Sequence, residues 1–94
     1  MTRQRLLSSN RVRAHRSSRS PALTEMLQAM GSQIQQRRKA LGLSQSAVTG
    51  LAGLDRAYLS AIEHGKQNVT ISALLRLATA LNTDIQSLLP ASIS

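Results

Sequence analysis

The chain has no cysteine. Disulfides, zinc–thiolate sites and thiol nucleophiles are excluded with it. Tryptophan and phenylalanine are also absent, and Tyr58 is the one aromatic residue. A core must come from Leu, Ile, Val, Ala and Met, which suits short helices in close contact. Stacking of bases on aromatic rings, a common way of holding single strands, has almost nothing to work with. No apolar run reaches the ~18 residues of a membrane span, and no signal-peptide apolar region is visible. The expectation is a soluble cytoplasmic protein with no membrane partner. Acids are scarce as well: four Asp or Glu stand against twelve Lys or Arg.

What is present is a small, basic, aliphatic chain of 94 residues with a formal charge of +8. That length suits one domain and leaves little scaffold for a catalytic site. The charge favours a polyanion, either nucleic acid or an anionic membrane surface. Its distribution is uneven. Arg3, Arg5, Arg11, Arg13, Arg16 and Arg19 fall in the first 20 residues, which contain no acid. From Pro21 onward six basic residues face four acids. The chain therefore divides into a basic arm, 1–20, and a nearly neutral domain, 21–94. The arm has few residues to bury and is expected to be disordered when free. Three readings of it stand: an arm on phosphates or in a minor groove, a solvated tail, or residues upstream of a start at Met26 or Met30.

The domain reads as five helices with no strand alternation. Ser20-Pro21 is a cap followed by a first-turn proline. Leu23, Met26, Leu27, Met30, Ile34, Arg38 and Leu41 then recur at helical spacing, with Gly31-Ser32 a point where the helix could break or kink. Gly42 stops it. Ser44 caps a second helix, about Gln45 to Leu51, with Val48, Leu51 and Ala52 apolar. Gly53 and Leu54 lead to Asp55, the expected cap of a third helix carrying Tyr58, Leu59 and Ile62, which His64-Gly65 ends. Two short helices joined by a brief turn containing Gly form the helix-turn-helix pattern, whose second helix enters the major groove. Thr70 caps a fourth helix with a wide apolar face, Ile71, Leu74, Leu75, Leu77, Ala78 and Leu81. Asn82 is a left-handed stop, Thr83 caps a short fifth helix and Pro90 closes it.

The ordered set Ile34, Arg38, Gly42-Leu43-Ser44-Gln45, Leu51-Ala52-Gly53-Leu54, Tyr58-Leu59-Ser60, Ile62-Glu63, Gly65-Lys66, Leu74, Leu77-Ala78 and Ala80-Leu81 resembles the lambda-repressor-like, Xre-type helix-turn-helix family. The match covers roughly residues 31–89. The run from Gly53 to Ser60, with Glu63, Gly65-Lys66 and Asn68-Val69, is similar to restriction-modification controller proteins and to other Xre-type regulators. Val48 and Thr49 depart from the Leu and small Ala common at those positions. A Thr fits there if its hydroxyl bonds a carbonyl one turn back.

The resemblance implies an all-α, five-helix domain that regulates transcription by binding an operator in double-stranded DNA. Its recognition helix is about Asp55 to Glu63. Arg56, Ala57 and Ser60 lie on the side expected to read bases: Arg56 by paired hydrogen bonds to guanine or else by holding a phosphate, Ala57 chiefly by avoiding a clash or else against a thymine methyl, Ser60 on a base or a phosphate. Ser44, Gln45, Tyr58, Lys66, Asn68, Thr70 and Arg37 are the expected phosphate contacts, Gln45 at a helix end that favours anions. For Tyr58 a wedge between helices is an equal alternative. The resemblance pairs Arg38 with Glu63 as a structural ion pair. It also implies a homodimer on an inverted repeat, with Leu88, Leu89 and Ile93 either an interface or part of the core. The alternative is an antitoxin or other interaction module with a toxin or another protein as main partner. An enzyme is not expected, because no phosphate loop, nucleophile–base pair or metal constellation is present. His15 and His64 are too isolated to bind a metal, and no cofactor is expected.

Overall fold

The computed structural model describes residues 20–90, and residues 1–19 of the arm and Ile93 lie outside them. Five helices follow in order: α1 Pro21–Ala40, α2 Gln45–Ala52, α3 Arg56–Glu63, α4 Ile71–Ala80 and α5 Ile85–Leu88. Each starts at a residue with extended backbone, as a cap requires. The hydroxyls of Ser20, Ser44 and Thr70 accept from Leu23, Ala47 and Ala73 amides at 3.1, 3.0 and 3.0 Å. The fifth cap is Asp84, not Thr83 as expected, and its carboxylate accepts from the Ser87 amide at 2.9 Å. At Asp55 only the backbone caps: no side-chain bond is made.

Helix ends are equally local in origin. After α1, the Gly42 amide donates to the Lys39 carbonyl and the Leu43 amide to that of Arg38. This crossed pair of bonds needs a left-handed residue between them, and Gly42 has φ +71°. The same closure follows α3 at Gly65 and α4 at Asn82. Arg37, Arg38 and Lys39 in the last turn of α1 face its negative end.

α1 runs through Gly31-Ser32 without the break that the sequence leaves open there. The glycine serves a tertiary contact instead. A methyl at Gly31 would overlap the Ile62 carbonyl oxygen and come within 2.9 Å of the Glu63 carbonyl oxygen. α1 and the end of α3 can meet this closely only without a side chain at 31. One turn earlier, Gln28 lies against Gly65, where an added Cβ would stand 2.8 Å from the Gln28 Cα.

α1 packs on α3, α2 on α3 and α4, and α5 closes against α4 and α1. The enclosed core joins Leu27, Met30 and Ile34 of α1, Val48 and Ala52 of α2, Leu59 and Ile62 of α3, Leu74, Leu77 and Ala78 of α4, and Leu81. Leu88 joins them and is 1% exposed, so of the two roles open to it, core or interface, it takes the core. Leu89 packs half-buried beside it.

Candidate nucleic-acid interface

α2 and α3 are joined by the three residues 53–55, with Gly53 left-handed at φ +69°. Each helix is too short to be stable alone. Their mutual angle is held from beneath by a buried carboxylate. Glu63, in the last turn of α3, has a fully buried side chain and receives Arg38 from α1 through two bonds, Nε to Oε2 at 2.7 Å and Nη2 to Oε1 at 3.0 Å. The Arg38 Nη1 also donates to the Leu43 carbonyl at 2.9 Å, just before α2. Gln45 of α2 and Gln35 of α1 add amide donors to Oε1 at 3.1 and 3.4 Å. One carboxylate thus ties three helices.

Burial pushes the Glu63 carboxyl up, but the bonds from Arg38, Gln45 and Gln35, with the Arg38 charge, outweigh it. The net shift is below the ordinary value of 4.5, so the group is ionised at neutral pH. The Arg38 guanidinium is held charged chiefly by its hydrogen bonds to Glu63, against the cost of burial. Thr49 sits buried on α2 with its hydroxyl donating to the Gln45 carbonyl at 3.0 Å, one turn back.

The face of α3 opposite Leu59, Ile62 and Glu63 is open. Arg56 and Ala57 are exposed and Ser60 is half-buried. No hydrogen bond or ion pair engages the Arg56 guanidinium among the described residues. Ser44, Lys66, Asn68 and Thr70 are exposed, and the first turns of α2, α3 and α4 carry no acid. The positive ends of α2 and α4 are not offset by an acid, whereas α3 carries Asp55 at its cap. The Tyr58 ring packs against the core while its hydroxyl has no partner among the described residues.

Two expected phosphate contacts have work inside the fold. Gln45 donates to Glu63, leaving one amide proton over. Arg37 binds the end of α4, with Nε on the Leu81 carbonyl at 2.9 Å and Nη2 on that of Asn82 at 3.0 Å. Sequence reasoning missed this, and missed Gln35 as a ligand of Glu63. Periodicity marks which face of a helix is buried, but gives no sign of a partner 44 residues away.

Among the described residues no helix is long and apolar enough to cross a membrane, and no cluster of His, Asp or Glu could hold a metal ion. The HTH_3 helix-turn-helix family model matches residues 34–88, more than half the chain. The chain belongs to the HTH_3 helix-turn-helix family. It is a DNA-binding transcriptional regulator of that family, which is not an enzyme family. The control protein C.SmaI of Serratia marcescens is 34% identical to this HTH_3 chain over 65 residues, 69% of the chain and 77% of the relative. The restriction-modification controller C.AhdI of Aeromonas hydrophila superposes with a TM-score of 0.65 at 40% identity, covering 66% of this chain and 94% of that one. SinR, a master regulator for biofilm formation solved in complex with DNA, gives a TM-score of 0.61 at 35% identity, over 63% of this chain and 95% of that solved chain.

Proposed function

We propose that the chain acts in the cytoplasm as a homodimer on an inverted-repeat operator, with α3 in the major groove. The observation that carries this is the two-sided character of α3: Leu59, Ile62 and Glu63 face the domain, and an unengaged Arg56 faces out beside Ala57. Arg56 reads guanine O6 and N7 with paired hydrogen bonds. Ala57 lies against a thymine methyl, and Ser60 reaches a base or phosphate. Ser44, Tyr58, Lys66, Asn68, Thr70 and the second amide proton of Gln45 hold the backbone on either side. SinR, of the same fold, was solved on DNA, which supports the DNA-binding part of this reading. A dimer follows because one such helix spans only a half-site, so two copies are needed to read ~10 base pairs centre to centre.

A protein partner is the second reading. Leu51, Ile71 and Leu75 are 67%, 71% and 56% exposed on α2 and α4, an apolar surface that a toxin or another protein could cover. Selection of bound sites from random duplexes at about physiological salt separates the two. Enrichment of a palindrome, lost on Arg56→Ala, is the expected result. Salt-sensitive binding with no enriched motif overturns the operator reading and leaves the partner reading.

A further inference from the structure

Four of the five helices are capped by a side chain, through Ser20, Ser44, Thr70 and Asp84. The exception is α3. Asp55 holds its N-cap position with φ −78° and ψ 140°, the extended backbone from which a carboxylate can cap, yet it accepts no such bond. Its side chain is exposed, and no hydrogen bond or ion pair joins it to any described residue. Among the described residues, the carboxylate at the tip of α3 has no partner.

A free acid in this place opposes the rest of the surface. The chain has four acids. Glu63 is buried on the inner side of α3, Asp84 caps α5, and Glu25 lies in the first part of α1. The first turns around Asp55 contain none. Near phosphates a carboxylate repels, and its loss would raise general affinity for DNA. Of the groups a duplex presents, the ones that can donate to it lie on the floor of the groove. Cytosine N4 and adenine N6 are hydrogen-bond donors there, whereas guanine O6 and thymine O4 are acceptors.

We propose that Asp55 is a specificity-determining residue whose carboxylate accepts a hydrogen bond from an exocyclic base amino group, cytosine N4 or adenine N6, next to the pair read by Arg56. The proposal rests on the placement of α3 in the major groove. Its selectivity comes from exclusion as much as attraction, because a carboxylate set against O6 or O4 puts two acceptors in contact and leaves both unpaired. Asp55 and Arg56, adjacent in sequence and opposite in charge, read complementary chemistry: an amino donor and a pair of acceptors.

The test is site selection from random duplexes with the full chain, as wild type, Asp55→Ala, Asp55→Asn and Arg56→Ala. Binding is then measured on the enriched site and its single-pair variants, and thermal midpoints establish that each protein is folded. The wild type is expected to favour C or A over G or T at one position by ~5- to 150-fold, and whichever base is enriched identifies the amino group. Asp55→Ala should flatten that position alone and bind unrelated duplexes more tightly. Asp55→Asn, which keeps the shape and can donate or accept, should admit G or T there. Arg56→Ala should lose a different position. Unchanged preferences in both Asp55 variants, or an affinity change equal on every duplex, overturns the proposal. A wild type that enriches no motif refutes the groove placement itself, a distinct failure that takes the proposal with it.

Discussion

Replacing glycine by alanine inside a helix normally stabilises it by about 0.5–1 kcal/mol, since the glycine loses more backbone freedom on folding. In this protein the sign should differ between two helices. At Gly50 of α2 nothing lies within 4 Å of an added methyl, and the residue is exposed. Gly50→Ala should raise stability by about 0.5–1 kcal/mol. At Gly31 the methyl meets the backbone carbonyls of Ile62 and Glu63, which cannot rotate aside. α1 must move off α3, opening the core where Leu27, Met30 and Ile34 meet Leu59 and Ile62. A gap of about 0.5–1 Å forfeits a quarter to a half of each contact, and overpacking of this kind costs about 1–3 kcal/mol or more. After the propensity gain, the expected net is a loss of about 2 kcal/mol, or a thermal midpoint ~10 °C lower in a domain of this size. Urea and thermal unfolding followed by far-UV circular dichroism measure both variants. A Gly31→Ala protein that matched or exceeded Gly50→Ala would refute the argument that close backbone approach, not chain flexibility, fixes residue 31.

Glu63→Gln should cost about 3–5 kcal/mol because it leaves Arg38 buried without a counter-charge; denaturant titration gives the value, and a loss under 1 kcal/mol would show the pair to be dispensable. The same carboxylate sets an acid limit. Its pKa is lowered in the folded state, so the unfolded chain takes up the proton first as pH falls. Stability from this group is therefore complete above the ordinary carboxylate value of 4.5 and is lost below it, a trend that unfolding midpoints between pH 3 and 7 should show and that Glu63→Gln should flatten. Ser44→Ala removes a cap bond and should cost about 1 kcal/mol. Asp55→Ala removes none and should cost clearly less, so equal losses would mean that Asp55 caps α3 in solution.

The local plan of the molecule was legible before folding was considered. Ser20, Ser44 and Thr70 mark three helix starts because a cap acts on an amide three residues away. Gly42, Gly53, Gly65 and Asn82 mark stops because a left-handed backbone is a property of one residue. The pairing of Arg38 with Glu63 and the family itself were readable from an ordered pattern of residues, which the HTH_3 match supports independently. Short-range rules failed where a second element intervened. Gly31 has the same local preference in any helix, and only the approach of α3 turns a breaker into a contact. Thr83 and Asp84 are both competent caps, and the backbone that reaches α5 places Asp84 at the start.

The remaining decisions belong to tertiary structure. Gln35 and Gln45 come to Glu63 from 28 and 18 residues away, and Arg37 reaches carbonyls 44 and 45 residues on. Nothing near those residues in sequence distinguishes them from exposed polar side chains. Arg56 and Asp55 are the converse case: among the described residues neither charge has a partner, at the tip of one helix. Sequence by itself determined where four of the five helices begin and where the turns stop them, because those preferences act within a few residues. Which polar groups the fold consumes, and which it leaves at the surface, was decided only when distant helices met and their donors and acceptors had to be satisfied together.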